Sequence, residues 1–126
     1  MTDQLLVACT VEGRPASYST AATAPWKAAI RERLTFLGIQ PLKEGRFRVR
    51  IVFRTAKAKT ANEAWDIDNL IKPTLDAMEA VFGLRRKQGK PEAADDRVDQ
   101  IEATKRTVRE NESPGADITV WLVADG

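Results

Sequence analysis

Apolar and polar residues alternate most regularly along the segment from residue 46 to residue 54. This period of two is the periodicity of a β-strand with one buried face, so we predict a strand here. Its inward side chains are Phe47, Val49, Ile51 and Phe53, and its outward side chains are Arg46, Arg48, Arg50 and Arg54.

Five further segments have the patterning of strands or helices. They predict a strand at 5–11, helices at 25–37 and 69–82, and strands at 98–109 and 117–123. Asp68 or Asn69 can cap the second helix, and Pro73 is expected near its start. The turn residues at 111–115 predict a hairpin between the last two strands. The segment 83–94 is predicted to be a polar, basic loop. The expected inward faces are Leu5, Val7, Cys9 and Val11, then Trp26, Ile30, Leu34 and Leu37, then Ile71, Leu75, Met78 and Phe82.

The order β-α-β-α-β-β predicts an α+β fold, with a mixed four-stranded sheet and two helices packed on one face. A chain of 126 residues is long enough for one domain, at 1–126, with a single core. No apolar run approaches the roughly 20 residues that span a bilayer, and the N-terminus lacks the pattern of a signal peptide. With one cysteine, no internal disulfide is possible. We therefore expect a cytoplasmic protein without a membrane segment.

The absence of histidine narrows the chemistry. It removes Ser-His-Asp and Cys-His nucleophilic machinery and the HExxH zinc site. One cysteine without histidine also makes a structural zinc site unexpected. The sequence has no GxxxxGK[ST] or GxGxxG motif. Any catalysis therefore has to use Asp, Glu, Lys, Arg or a bound ion.

Carboxylates gather in an apolar stretch that contains Asp66 and Asp68. Such groups are costly to desolvate unless positive charge neutralises them, and Mg²⁺ takes oxygen ligands from carboxylates. In an extended segment the two aspartates share a face, with Cα atoms about 6.5–7 Å apart. Lys72 and Asp76 follow Asp68 at helical spacing. This pattern indicates a metal-dependent phosphoryl-transfer site.

The pair Asp95-Asp96 comes just before the strand predicted at 98–109. If that strand pairs near the one that ends at Arg54, the pair returns to the start of the second helix. Simpler interpretations exist: Asp68 as a helix cap, Lys72 in a surface ion-pair ladder, and Asp95-Asp96 as a turn. Because these features coincide, we favour a functional site over the separate simple interpretations.

The net charge is only +2, but the basic residues lie on both sides of the acidic segment. An acidic centre between basic flanks suits an enzyme that holds a polyanion by its phosphates. The alternative is that both flanks are solvated surface. The flanking residues are Arg46, Arg48, Arg50, Arg54, Lys57 and Lys59 before the segment, and Arg85, Arg86, Lys87 and Lys90 after it.

The pattern Asp-x-Asp-Asn-x-x-Lys-x-x-x-Asp-Ala-Met, followed by Asp-Asp-x-x-Val, resembles the RusA-type endodeoxyribonucleases that resolve Holliday junctions. Its positions here are Asp66, Asp68, Asn69, Lys72, Asp76, Asp95 and Asp96, with Asp99 following. The resemblance implies a homodimer that binds four-way DNA junctions and makes paired nicks with Mg²⁺ in DNA recombination and repair. It assigns metal binding to Asp66, Asp68 and Asp96 and a catalytic role to Lys72. Asn69 and the basic residues Arg85, Arg86, Lys87 and Lys90 are the expected nucleic-acid contacts.

Two other functions compete with this hypothesis. A PD-(D/E)xK nuclease needs an acidic residue two positions before its catalytic lysine, and no lysine here has one. A non-catalytic DNA-binding protein on the same scaffold, such as a prophage regulator, would be expected to have lost the carboxylates. Mg²⁺-dependent cutting of a synthetic four-way junction, compared with a linear duplex, separates these functions.

Overall fold

The structure, a computed structural model, describes residues 2–17, 20–57 and 66–124. Its strands and helices follow one another in the order expected from the sequence, with one additional hairpin and one additional short helix. The elements are β1 (Gln4–Glu12), α1 (Thr23–Phe36), β2 (Phe47–Thr55), α2 (Ile67–Asp76), α3 (Glu79–Phe82), β3 (Leu84–Lys87), β4 (Lys90–Ala93), β5 (Val98–Thr107) and β6 (Gly115–Leu122).

The main sheet has four strands in the order β1-β6-β2-β5. The strand β6 pairs antiparallel with both β1 and β2, whereas β2 and β5 pair in parallel. The predicted α+β fold with a mixed four-stranded sheet is therefore confirmed. None of the helices within the described ranges is long and apolar enough to cross a membrane.

The predicted hairpin between the last two strands is wrong, because β6 lies between β1 and β2 while β5 forms the far edge. Burial explains this placement. In β6 the side chains of Ala116, Ile118 and Val120 are fully buried, which suits a central strand. In β5 no residue is fully buried, which suits an edge. The turn residues at 111–115 therefore serve a connection that passes over the end of β2.

The core lies between the inner face of the sheet and the helices. The alternation in β2 is confirmed, since its four predicted inward side chains are fully buried. From α1, Trp26 and Ile30 pack into the same core. The indole Nε1 of Trp26 donates a 3.0 Å hydrogen bond to Oγ1 of buried Thr74, which ties α1 to α2.

Two predicted core residues lie outside the core. A β-bulge between Leu5 and Val7 shifts the alternation in β1, so Leu5 is 55% exposed while Val7 is buried. Leu37 is the residue that ends α1, and it too is exposed. In both cases the backbone departs from regular geometry, which a pattern of apolar residues does not reveal.

The helix predicted at 69–82 consists of two helices. Backbone amides of Ala77 and Met78 donate to carbonyls three residues earlier, at Thr74 and Leu75, and this tightening ends α2. The N-cap is neither Asp68 nor Asn69 but Asp66, whose backbone is extended and whose side chain makes no cap hydrogen bond.

The prediction of a loop at 83–94 is also wrong, because this segment contains the two-stranded hairpin of β3 and β4. Gln88 and Gly89 both have positive φ at its tip. Such a pair matches the turn that suits the twist of a hairpin, and Gln-Gly is a weaker sequence signal for it than Asn-Gly. The basic residues of this segment are therefore arranged on a hairpin.

Candidate functional site

The candidate site lies where α2 packs against β4 and β5. Because β5 runs parallel to β2, the chain has to cross over between the two strands, and α2 is part of that crossover. The turn Asp95–Arg97, a short 3₁₀ segment, leads directly into β5. Asp95 does come back to the second helix, but it meets the helix at Lys72, in the middle of α2, and not at the start of the helix as expected.

Lys72 joins the helix to this turn. Its Nζ lies 2.9 Å from Oδ1 of Asp76 and 2.9 Å from Oδ2 of Asp95. Partial burial favours the neutral amine, but the hydrogen bonds of Asp76 and Asp95 oppose it, and the pKa of Lys72 is raised above its ordinary value. Lys72 is therefore an ammonium at neutral pH, which can donate hydrogen bonds and stabilise negative charge but cannot act as a base.

Arg85, on β3, reaches three carboxylates. Its Nη2 lies 2.8 Å from Oε1 of Glu92 and 3.0 Å from Oδ1 of Asp95, and its Nη1 lies 3.3 Å from Oδ1 of Asp96. The hydrogen bond that Arg85 donates to the carboxylate of Glu92 is the main reason why the pKa of Arg85 is raised, so the guanidinium is permanently charged. Arg85, which was predicted to contact DNA, thus joins the hairpin to the acidic turn in this structure.

Arg97 was not singled out from the sequence, although it lies within the matched motif. Its guanidinium donates hydrogen bonds to the backbone carbonyls of Leu42, Gly45 and Phe82 and stacks 4.7 Å from the centre of the Phe47 ring. These contacts fix the turn that carries Asp95 and Asp96. An arginine directly after two aspartates would usually suggest an ion pair, so this role in binding carbonyl groups could not be predicted from the pattern.

The motif carboxylates fall into two groups. Asp66 and Asp68 are exposed at the start of α2, and among the described residues their side chains have no hydrogen-bond or ion-pair partner. Asp95, by contrast, is 13% exposed and pairs with both Lys72 and Arg85, whereas Asp96 is 54% exposed. Asp95, which the resemblance left without a role, thus pairs with two cationic side chains.

The residue types suit a hard divalent cation, since carboxylate oxygens are the ligands Mg²⁺ prefers. The arrangement of these carboxylates in the structure does not suit such a cation. Within residues 2–17, 20–57 and 66–124, no three His, Cys, Asp or Glu side chains are grouped so that they could hold a metal ion. The ion pairs explain part of this, because Lys72 and Arg85 occupy carboxylate oxygens of Asp95 and Asp96 that a cation would need.

A cleft of about 420 Å³ opens beside Asp96. Arg97 and Arg85 line it together with Lys43, so an anionic group entering it would meet positive charge next to an exposed carboxylate. Such a surface suits a phosphate group. Its remaining walls include Leu42, Phe82 and Gly83.

The predicted basic residues differ in availability. Arg86, Lys87 and Lys90 are exposed on the hairpin, and Asn69 is exposed near the start of α2. Ion pairs engage the arginines of β2 and Arg46, which directly precedes it, and Arg54, which was predicted to point outward, is only 5% exposed. Their partners are Asp99 for Arg46, Asp3 for Arg48, Glu102 for Arg50 and Asp117 for Arg54. Lys57 is described and exposed, whereas Lys59 lies outside the described residues.

This fold and this set of side chains define a small α+β protein with an acidic, lysine-containing site beside a basic cleft, as expected of an enzyme that acts on phosphate esters. Comparison with family models gives the particular family, since residues 8–120 match the model described as Endodeoxyribonuclease RusA. The chain therefore belongs to the RusA endodeoxyribonuclease family. A comparison with curated proteins finds no match.

We expect Arg97→Met to destabilise the protein by about 1–3 kcal/mol, because three carbonyls lose a charged donor. Urea unfolding at neutral pH measures the loss. The matched control is Arg50→Met, whose exposed pair with Glu102 should be worth less than about 1 kcal/mol. Equal losses in the two variants would show that Arg97 does not organise the turn.

Proposed function

We propose that this protein is an Mg²⁺-dependent, structure-selective endodeoxyribonuclease that resolves four-way DNA junctions by paired, symmetric nicks. The observation that carries the proposal is the ion-paired position of Lys72 against Asp95 in a chain of the RusA family. A charged lysine held at an acidic turn, beside a basic cleft, is suited to a phosphodiester whose negative charge increases during attack.

In this proposal Asp66, Asp68 and Asp96 would hold the cation through their carboxylate oxygens, which the described part of the structure does not bring together at one point. When bound, Mg²⁺ would supply a hydroxide from water near neutral pH and polarise the phosphate, so no histidine is required. The contribution of the chain itself is positional. The contacts of Arg97 set the turn that presents Asp96 at the mouth of the cleft, while α2 presents Asp66 and Asp68.

Lys72 is proposed to stabilise negative charge. Its ammonium is held by two carboxylates, so it can exchange one of them for a phosphate oxygen while the other keeps it in place. The exposed amide of Asn69, three residues earlier, is proposed to hold a phosphate or carboxylate oxygen. Both side chains act on charge and position and neither removes a proton.

The catalytic assignments predict a separation of cutting from binding. Asp66→Asn, Asp68→Asn and Asp96→Asn should each abolish cleavage of a synthetic four-way junction in Mg²⁺. Binding measured by gel shift in EDTA should be unchanged or tighter, because a group that repels phosphate has been removed. Lys72→Ala should lose cutting by roughly 10²–10³-fold, the value of one charge-stabilising donor. Lys72→Arg should rescue poorly, because the guanidinium differs in shape and reach.

The control for this series is Glu102→Gln, which removes an exposed carboxylate of β5 that pairs with Arg50. It should cut at the wild-type rate. An aspartate variant that also cuts near that rate is not required for the chemistry. A Lys72→Ala protein with only a lowered melting temperature would support a purely structural ion pair.

DNA arms are proposed to lie against the exposed part of the hairpin, since Arg86, Lys87 and Lys90 are accessible there. Each neutralised phosphate contributes about 0.9 to the slope of log affinity against log salt concentration. Changing the three residues together to Ala should therefore make the slope shallower by up to about 2.7 in fluorescence titrations of a junction. An unchanged slope would place the DNA elsewhere.

A homodimer is proposed because symmetric cuts on opposing strands need two sites related by a two-fold axis. The edge strand β1 is suited to self-pairing. It carries no charged residue from Gln4 to Val11, whereas the opposite edge, β5, carries Asp99, Glu102, Lys105 and Arg106. Unpaired edges are usually protected by charge, so an uncharged one suits a partner strand. A cleft of about 540 Å³ beside it, next to Phe36, which is 79% exposed, offers room for partner side chains.

Antiparallel pairing of β1 with β1 of a second copy places the two-fold axis perpendicular to the sheet. Both helical layers then lie on the same face, where one flat junction can reach both sites. Each site lies beside β5, so seven strand spacings of about 4.8 Å separate the two sites by roughly 34 Å.

We expect the wild-type protein to be a dimer by light scattering and Ala8→Lys to be a monomer, since Ala8 is exposed on β1 and two like charges would meet across the axis. The monomer should nick junctions singly, without paired cuts. Thr104→Lys, an exposed change on β5, should remain dimeric. A monomeric wild type would refute the dimer, and a dimeric Ala8→Lys would refute this interface.

A non-catalytic DNA-binding protein is the second candidate. It is favoured by one observation, the neutralisation of Asp95 and Asp96 by side chains of the protein itself. Junction binding without any cutting across Mg²⁺ and Mn²⁺ concentrations would establish it.

A further inference from the structure

The tip of the hairpin of β3 and β4 carries positive charge that no acidic side chain of the tip balances. Every residue from 86 to 91 is exposed. The charged residues among them are Arg86, Lys87 and Lys90. At the base of the same hairpin, Arg85 instead pairs with Glu92 on the opposite strand, at 2.8 Å. The hairpin thus has a base closed by an ion pair and a tip with three positive charges.

The two lysines of the tip stand directly opposite each other. Lys87 of β3 is the register partner of Lys90 of β4. Like charges at directly opposed positions destabilise a pair of strands. Neither lysine has a hydrogen-bond or ion-pair partner among the described residues. This repulsion weakens the isolated hairpin and is relieved when a polyanion lies along the tip.

Gln88 occupies the turn of the hairpin in a conformation that its residue type disfavours. Its φ is 53°, in the left-handed region that Gly and Asn adopt most readily. The usual residues of such a turn are Asn-Gly, Asp-Gly or Gly-Gly. The amide of Gln88 is exposed and has no hydrogen-bond partner within the described part of the chain. Because this side chain does not stabilise the turn, we look for its role in a contact outside the protein.

The dimensions of the tip match the major groove of a DNA duplex. The three residues from 86 to 88 extend about 10 Å at roughly 3.3 Å each, and the groove is about 8.5 Å deep. The two strands lie about 4.8 Å apart, and a two-stranded ribbon with its side chains fits the groove width of about 12 Å. The minor groove, at about 6 Å, is too narrow for it.

We propose that the hairpin tip enters the major groove of a duplex arm, where the amide of Gln88 reads an adenine. The inference rests on the proposed binding of four-way junctions, whose arms are duplexes. A glutamine amide can accept from the N6 amino group of adenine and donate to its N7, and the other three bases lack this pair of groups. Lys87 and Lys90 then hold phosphates that border the groove, which fixes the register without reading sequence. Gln88 is a specificity-determining residue in this arrangement.

The test measures binding in EDTA, so that cleavage does not contribute. Junctions with randomised arm sequences are mixed with the full-length protein, and the bound fraction is sequenced. The wild type should enrich an A·T pair at a fixed distance from the crossover. At that position A·T should bind more tightly than the other base pairs by roughly 5–150-fold, the discrimination expected of one bidentate contact.

Modified bases at the enriched position identify the groove that is read. In 7-deazaadenine the major-groove acceptor N7 is replaced by carbon, so this base should remove most of the preference. In 3-deazaadenine the minor-groove acceptor N3 is replaced instead, and this base should bind as adenine does.

Gln88→Gly tests the side chain without disturbing the turn, because glycine suits a positive φ and Gly-Gly is a favoured hairpin turn. The variant should lose the preference for A·T. Its salt slope should equal that of the wild type, since an uncharged side chain neutralises no phosphate. The matched control is Gln100→Ala, which removes an exposed glutamine of β5 and should keep the preference.

Other results overturn the inference in distinguishable ways. If the wild type binds junctions without a sequence preference in the arms, or binds 7-deazaadenine as well as adenine, the hairpin does not read the major groove, and the proposed function survives. If Gln88→Gly keeps the A·T preference, Gln88 is not the reading residue. If the wild type does not bind four-way junctions, the inference and the proposed function fail together.

Discussion

The parallel pairing of β2 with β5 is the constraint on which the candidate site depends. Two parallel neighbours cannot be joined by a tight turn, so the chain between them has to cross over the sheet. Here the crossover contains α2, α3 and the hairpin, and it ends at the turn Asp95–Arg97. Because α2 lies over the same edge of the sheet as this turn, Lys72 meets Asp95 across 23 positions of sequence.

Burial in turn determines the pairing. The side chains of Ile118 and Val120 in β6 require cover on the inner face, so β6 takes the central position next to β2 and leaves the edge to the polar β5. The hairpin that the turn residues suggest would have placed β5 and β6 side by side, whereas in the structure they lie on opposite sides of β2. The burial of Ile118 and Val120 thus affects where the acidic turn before β5 lies.

Periodicity predicted the strands and the class of fold because regular backbone repeats its pattern of burial. It failed where the backbone is irregular, at the bulge after Leu5 and at the break that separates α2 from α3. It also could not give the order of strands, which depends on burial compared across the whole sheet. The motif residues were identified by their types and spacing, and their roles as ligands and as DNA contacts remain predictions.

The contacts of the candidate site could not be predicted for a further reason, which is that charged side chains choose partners only after folding. Arg85 and Arg86 are adjacent and chemically identical, and both were expected to contact DNA. Strand alternation turns one toward Asp95 and leaves the other exposed at the carbonyl of Gly89. Likewise Asp95 and Asp96 are adjacent, yet one is enclosed by two cations and the other opens to a cleft. On a strand or in a tight turn, neighbours in sequence face different surroundings, and so identical residues can divide between holding the site together and leaving it open to a ligand.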